Sequence, residues 1–197
     1  MTNSDFLLPK SFYLRDDVVQ IAKELLGKTL VTKQNGAARK GKIVETEAYR
    51  GYDDKACHAS NGKRTPRTEV MYREGGCAYV YLCYGIHHLF NVVTNVAGKA
   101  DAVLIRAVEP LDGDWSDRHP KTKTSNGPGK LSKAMGITME MNTARLTGEN
   151  DIWIEDAPDI VGTSIVASTR VGVDYAGADA LLPWRFYLCN NDWVSKK

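Results

Sequence analysis

Two glutamates and a tyrosine alternate with apolar and β-branched residues in one stretch of the chain. The stretch covers residues 43–49, and its alternating members are Glu45, Glu47 and Tyr49. Side chains at positions i and i+2 of a strand project from the same face, so the three groups are predicted to point the same way. Carboxylates on a rigid strand beside an aromatic ring can perform acid–base chemistry on a flat substrate. We therefore expect this face to line a cleft or to meet water.

A second stretch is rich in tyrosine. Tyr79 and Tyr81 share one face of a predicted strand at residues 78–82, and Tyr84 stands beside Gly85 where the chain is predicted to turn. Tyrosine is common in strands, so this stretch alone favours simple packing. The functional alternative is contact with a nucleic acid. Aromatic faces stack on bases for about 1–3 kcal/mol each, and a ring at a hairpin tip can wedge between base pairs.

Three further polar residues are candidates for the same site. Arg106 lies in an apolar predicted strand, residues 102–108, so it needs either a structural or a catalytic carboxylate as partner. Asn91 lies in the apolar strand predicted at residues 89–95 and needs a hydrogen-bonding partner. His58 lies in a long predicted loop, residues 50–76, where a lone histidine is usually only a polar loop residue. The adjacent pairs Cys57-His58 and His87-His88 supply no spaced set of four ligands, so neither a metal nor a cofactor is expected.

The composition predicts a single globular domain spanning residues 1–197. Hydrophobic content is 43% and charged content 25%, and four cysteines are scattered without C-x-x-C pairing. No apolar run reaches about 18 residues, and the N-terminus lacks a secretory pattern. We expect a monomeric cytoplasmic protein without membrane contact.

The net charge of +2 neither requires nor excludes a nucleic-acid partner. Basic residues form three stretches, at 39–42, 63–67 and 121–133, and any one of them is most simply a solvated surface. Three such stretches around one cleft would favour a polyanion.

The predicted elements define an α+β fold with a curved, mainly antiparallel β-sheet, a protruding β-hairpin and peripheral helices. A helix is predicted at residues 16–26, ending at Gly27, and a second, short one after Gly127-Pro128-Gly129 through residue 134. Asn35-Gly36 is a strong hairpin signal. Beyond the strands already described, we predict strands at residues 29–33, 152–155, 164–173 and 184–189.

Several motifs, taken in order, resemble the alkyladenine (3-methyladenine) DNA glycosylase family over nearly the whole chain. They are Val44-Glu45-Thr46-Glu47-Ala48-Tyr49, Cys57-His58-Ala59-Ser60, Arg64-Thr65-Pro66-Arg67, Tyr79-Val80-Tyr81 with Tyr84-Gly85, Leu104-Ile105-Arg106-Ala107-Val108-Glu109-Pro110, Gly127-Pro128-Gly129-Lys130-Leu131 and Arg170-Val171-Gly172-Val173. The chain departs from the mammalian-type pattern at Ile86 and His87, beside Tyr84.

The resemblance implies a monofunctional base-excision enzyme acting on double-stranded DNA that contains damaged bases. By that resemblance, Glu47 deprotonates the attacking water, and Arg106 and the main-chain carbonyl of Val171 help to hold it. Glu45 matches a position to which the resemblance assigns no role.

The resemblance also implies the base-binding residues. The flipped-out alkylated purine stacks between Tyr49 and Tyr81, with His58 beside it. Tyr84 fills the space left in the duplex, and Asn91 crowds the 2-amino group of guanine. Neutral lesions would need a proton donor, for which His58 is a weak candidate.

Two other functions fit parts of the sequence. A non-catalytic nucleic-acid-binding module would explain the basic stretches, but a phosphate binder gains nothing from acids in its groove. A hydrolase of free nucleosides or sugars would use Glu45 and Glu47 as paired carboxylates. Such a small substrate needs neither the tip tyrosine nor the basic stretches.

Overall fold

One antiparallel sheet forms the framework of the protein and curls into a half-barrel. The computed structural model describes residues 6–34, 36–112, 115, 124–158, 160 and 164–196. The strands are β1 (Thr29–Gln34), β2 (Ala37–Tyr49), β3 (Ala78–Cys83), β4 (His87–Thr94), β5 (Asp101–Pro110), β6 (Ile152–Glu155), β7 (Ile165–Ser168) and β8 (Arg185–Leu188). Their order is β3-β4-β5-β2-β1-β6, and β8 pairs with both β2 and β7.

Strand β2 lies at the centre of the sheet and carries the acidic residues. Its first half pairs with β1, and Glu45, Thr46 and Glu47 pair with β8. Its other edge pairs with β5 from Gly41 to Tyr49. Both glutamates are therefore surrounded by backbone on either side, and their positions are fixed by the sheet.

Two irregularities interrupt the pairing of β2 with β5. Ile43 pairs with Val108 but Glu45 pairs with Ala107, so β2 carries one extra residue there. Thr46 then pairs with Ile105, which leaves Arg106 unopposed on β5. Bulges of this kind re-aim side chains and are frequent beside active sites.

Three short α-helices are α1 (Lys10–Tyr13), α2 (Val18–Glu24) and α3 (Pro128–Met135). The Asp17 carboxylate accepts a 2.9 Å hydrogen bond from the Gln20 backbone N–H and so caps α2. Helices α2 and α3 pack on β2, β4 and β5, and their buried apolar residues join the main core. The predicted α+β class and the predicted helix at residues 16–26 are confirmed, whereas the four-residue α1 is too short to leave a periodic signal.

The segment predicted as a strand at residues 164–173 is a strand only over Ile165–Ser168. The prediction is wrong for residues 169–173, because Arg170 leaves the sheet to pair with Asp54 and Gly172 adopts a φ of +75°. The predicted loop at residues 50–76 contains two short 3₁₀ turns, Ser60–Gly62 and Glu69–Tyr72. Of the hairpin signal, Asn35 lies outside the described residues, although Gln34 pairs with Ala37 as expected. In the part of the chain that the structure describes, no helix is long and apolar enough to cross a membrane.

Candidate active site

The carboxylate of Glu47 is held by three different elements. Its Oε1 accepts a 2.7 Å hydrogen bond from the backbone N–H of Val171 and lies 3.2 Å from Nη1 of Arg106. Its Oε2 accepts a 2.7 Å hydrogen bond from the hydroxyl of Tyr49. Strand β2, strand β5 and the loop after β7 therefore meet at this one group. Val171 was expected to act through its carbonyl, but the contact seen here uses its N–H.

Neither glutamate of β2 is exposed to solvent. Both Glu45 and Glu47 have 0% accessible surface, so of the two expected settings for their strand face, a cleft or contact with water, contact with water is wrong for both carboxylates. The physical reason is charge pairing: Arg106 donates to Glu45 through Nε at 2.8 Å and lies against Glu47, and Arg185 donates to Glu45 at 2.9 Å. Two buried carboxylates are thus offset by two buried guanidiniums.

A cavity of about 510 Å³ is lined in part by Arg106, the arginine that contacts both buried glutamates. Seven of the predicted site residues line it: Tyr49, His58, Tyr81, Tyr84, Asn91, Arg106 and Val171. Glu47 lies behind the wall that they form. Because three of these residues also contact Glu47, the carboxylate is one side chain away from the cavity.

The two tyrosines predicted to stack on a base each carry an arginine over one ring face. The guanidinium carbon of Arg170 lies 4.8 Å from the ring centre of Tyr49, and that of Arg67 lies 4.6 Å from the ring centre of Tyr81. Burial raises the pKa of both tyrosines, and the Glu47 charge raises that of Tyr49 further, so both rings stay neutral. Sequence reasoning missed both arginines as site residues, although each stands within a motif that carries the family resemblance.

His58 is neutral and fully engaged in hydrogen bonds. Burial, assisted by the positive charges of Arg67 and Lys63, lowers its pKa from 6.5 to about 4. Arg67 lies 2.6 Å from Nε2 and can only donate, so Nε2 accepts. Nδ1 then carries the proton and donates to the Tyr79 hydroxyl at 2.8 Å. This arrangement argues against His58 as a proton donor to a base near neutral pH.

The loop that presents Val171 is anchored by a buried ion pair. Arg170 donates to both carboxylate oxygens of Asp54 and, at 2.9 Å, to the carbonyl of Ala48 on β2. Both charged side chains have 0% accessible surface. The anchor fixes the backbone one residue before Val171.

Asn91 satisfies its amide group through the neighbouring strand. It is 4% exposed, and its Nδ2 donates to the carbonyl of Tyr79 at 3.1 Å. This contact holds the side chain at the cavity wall.

The hairpin between β3 and β4 presents an exposed apolar tip. Tyr84 is 93% exposed and has a φ of +50°, which is uncommon for a residue with a side chain. Ile86 and Leu82 on the same tip are 72% and 45% exposed. An aromatic ring held in this way has no role in packing the protein.

The basic stretches differ in their surroundings. Lys40 and Lys42 are ion-paired with Glu155 and Glu109, whereas Arg67 in the second stretch lines the cavity. In the third stretch, Lys121 and Lys123 lie outside the described residues. Among the described basic residues of the three stretches, Arg67 is the one that lines the cavity.

Within the described ranges, no group of three or more His, Cys, Asp and Glu side chains is arranged to hold a metal ion. Burial raises the pKa of the Cys57 thiol at the cavity wall to about 12, so the thiol is protonated and unreactive.

An aromatic cavity above a buried acid and its paired arginine, on one rigid sheet, is typical of an enzyme that acts on a flat substrate. The chain belongs to the methylpurine-DNA glycosylase family, whose model matches residues 11–192. This membership supports DNA glycosylase function and a place in base excision repair.

Proteins from bacteria and an archaeon are closely similar to the chain. A protein of Chlamydia felis is 47% identical over 190 residues, which cover 92% of this chain and 96% of the relative. One from Methanocella arvoryzae is 47% identical over 197 residues, covering 97% and 96%. One from Clostridium botulinum is 44% identical over 204 residues, covering 97% and 100%. Each of the three is named "Putative 3-methyladenine DNA glycosylase".

Proposed function

We propose that the protein is a monofunctional DNA glycosylase that hydrolyses the N-glycosidic bond of a flipped-out alkylated purine of the 3-methyladenine type. Glu47 activates the attacking water, and Arg106 and Val171 hold that water in place. The single observation that carries the proposal is the position of the Glu47 carboxylate, which is held by Tyr49, Arg106 and Val171 behind the wall of an aromatic cavity.

The site suits a base removed from its stack. A base inside a duplex is out of reach, so the nucleotide must rotate outward at a cost of a few kcal/mol. Stacking on Tyr49 and Tyr81 offsets part of this cost, and Tyr84 offsets more by filling the gap in the duplex. The exposed hairpin tip and the cavity lie on the same continuous surface, since Tyr84 also lines the cavity.

Glu47 must become accessible for the reaction to occur. In the free protein the Tyr49 hydroxyl occupies Oε2, and the side chain has no exposed surface. We infer that the Tyr49 hydroxyl takes the place on Oε2 that the water occupies in the reacting complex. Catalytic hydrogen bonds often form only in that complex, so the closed geometry of the free state is compatible with the role.

The damaged bases that such a glycosylase removes differ in charge. Their charge matters because arginines lie over the rings of Tyr49 and Tyr81. A purine alkylated on a ring nitrogen is positively charged and already a good leaving group, so it needs no general acid. Because His58 is neutral and occupied, the described cavity favours such lesions over neutral ones. The described cavity wall contains no lysine, which agrees with water rather than an amine as nucleophile.

The two rival functions explain the site less well. A binding module without catalysis leaves no reason for a buried acid and arginine beneath the cavity, where they cost solvation energy. A sugar hydrolase with paired carboxylates needs both acids to reach the substrate. Glu47 is held only by groups that line the cavity, whereas Glu45 is held also by Arg185 and Ser195, which do not line it. Glu45 is therefore the less available of the two acids.

The test measures bases released from methylated duplex DNA by mass spectrometry, together with affinity for a duplex carrying one alkylated purine. The wild-type protein should release 3-methyladenine and leave the DNA strand uncut. Glu47→Gln should lose base release by about 10²-fold or more and retain affinity. Glu69→Gln, an exposed glutamate paired with Arg64, serves as the matched control. Undiminished release by Glu47→Gln, or strand cleavage coupled to release, would refute the proposal.

A further inference from the structure

Glu45 accepts four hydrogen bonds next to the site, and the proposed reaction assigns it no contact with the substrate. Its oxygens accept from Arg106 at 2.8 Å, Arg185 at 2.9 Å, the Ser195 backbone N–H at 2.7 Å and the Ser195 hydroxyl at 3.0 Å. Two of these partners, Arg185 and Ser195, do not line the cavity, whereas all three groups that hold Glu47 do. Any role that Glu45 has in the proposed reaction therefore acts through its partners.

Arg106 connects Glu45 to the candidate base. Its Nε lies 2.8 Å from Glu45 and its Nη1 lies 3.2 Å from Glu47, so the shorter contact is the one with Glu45. Arg106 is also the residue left unopposed by the bulge in β5, so sheet pairing alone does not fix its direction. The contact with Glu45 supplies that direction.

The last described residues of the chain complete this arrangement. The Ser195 hydroxyl accepts from Nη2 of Arg106 at 3.3 Å while donating to Glu45. Arg185 donates to the backbone carbonyl of Lys196 at 2.8 Å. Ser195 and Lys196 therefore complete the network with residues that do not line the cavity.

The charges in the network are balanced. Arg106 and Arg185 are 6% and 4% exposed, and they face Glu45 and Glu47, which have no exposure. Burial alone would raise the pKa of Glu45, but the Arg106 charge and the hydrogen bonds from Ser195 outweigh it and hold that pKa below its usual value. Glu45 is therefore an anion that neutralises one of the two guanidiniums.

We propose that Glu45 is a positioning residue that aims Arg106 at Glu47 and cancels part of the guanidinium charge beside it. The inference rests on the proposed function and deepens it. The groups facing Glu47 are Arg106 from β5, Tyr49 from its own strand, Tyr81 from β3, and Arg170 with the Val171 N–H from the loop after β7. The charged members of this set are Arg106 and Arg170, and Arg170 is already paired with Asp54. Loss of the Glu45 anion therefore leaves the Arg106 charge beside Glu47 less balanced.

The sign of the effect can be tested with two variants of opposite charge. Glu45→Gln removes an anion from the network, so the pH at which excision reaches half of its plateau should fall. Arg185→Gln removes a cation, so that pH should rise. In both variants the plateau rate should drop by about tenfold, because Arg106 loses part of its support. Ser195→Ala changes no charge and should lower the rate without moving the profile.

The experiment is single-turnover base excision between pH 4.5 and 9, with thermal melting and affinity for lesion-containing DNA measured on every variant. A purely structural role for Glu45 predicts lower melting temperatures and no opposed shifts of the profile. If Glu45→Gln and Arg185→Gln shift the half-plateau pH in the same direction, or do not shift it although the wild-type protein excises normally, the inference about Glu45 is overturned. The proposed function then still stands. Should Glu45→Gln not fold, the other two variants decide the inference. It requires a raised half-plateau pH in Arg185→Gln and an unmoved profile in Ser195→Ala. Absence of excision by the wild-type protein would overturn the proposed function and this inference with it.

Discussion

The hydroxyl of Tyr49 donates a 2.7 Å hydrogen bond to Oε2 of Glu47, two residues earlier on the same strand. The aromatic wall of the cavity and the buried carboxylate are thus joined by one contact. A movement of the Tyr49 hydroxyl away from Glu47 would therefore free Oε2 on the side of the aromatic wall.

Tyr49→Phe should separate stacking by the Tyr49 ring from the hydrogen bond between its hydroxyl and Glu47. Phenylalanine keeps the ring but leaves Oε2 of Glu47 without its donor, so the melting temperature should fall, since an unsatisfied buried acceptor costs about 1–3 kcal/mol. Lesion affinity should change by less than about threefold, and single-turnover excision should equal or exceed the wild-type rate. Tyr49→Ala, which removes the ring, should lose affinity. A tenfold loss of rate in Tyr49→Phe would show that the hydroxyl assists the reaction.

Tyr84→Ala should weaken binding and flipping of a damaged base without affecting stability. The ring is 93% exposed, so its removal costs the fold little, whereas stacking in the duplex is worth about 1–3 kcal/mol. We expect lesion affinity to fall by about 10- to 100-fold, measured by fluorescence anisotropy, with an unchanged melting temperature. Tyr52→Ala is the control, because Tyr52 is 71% exposed and does not line the cavity. Equal affinities for the two variants would contradict the wedge role.

His58 should titrate with a pKa of about 4, well below 6.5, chiefly because it is buried and secondly because Arg67 is positive. The folded state then binds fewer protons than the unfolded state between these values. The stability linked to this group is therefore complete above pH 6.5 and is lost as the pH falls towards 4.

NMR titration of the His58 ring, assigned with His58→Gln, measures this value directly. Arg67→Met should raise the pKa of His58 but leave it below 6.5, because burial persists. Arg64→Met is the matched control, since Arg64 pairs with Glu69 and not with His58. A wild-type value near 6.5 would disprove the neutral state described here.

The Arg170–Asp54 pair should be essential to the fold of the loop that carries Val171. Removing one partner of a fully buried ion pair costs about 3–5 kcal/mol, because the other charge is left unpaired. Asp54→Asn should therefore lower the melting temperature by roughly 10 °C in a chain of this size. Glu69→Gln, in an exposed pair, should change it far less. Similar melting curves for the two variants would argue against the anchor.

Local sequence patterns were sufficient for much of the framework. Alternating and apolar stretches predicted β2 through β5, and the Tyr84-Gly85 turn was predicted by its position between two strands. These signals are local because strand periodicity and positive-φ turns depend on neighbouring residues only. The strand prediction failed at residues 169–173, where a distant partner, Asp54, determines the backbone path.

The sequence by itself determined that two carboxylates and a tyrosine share a face of one strand, and that Arg106 requires an acidic partner. Only the tertiary structure decided that both acids are buried, that one arginine serves both of them, and that Arg185 and Ser195 complete the group from the far end of the chain. The reason is physical. Periodicity assigns a side chain to a face, but the bulges in β2 and β5 and contacts across 61 to 150 residues fix which charges meet.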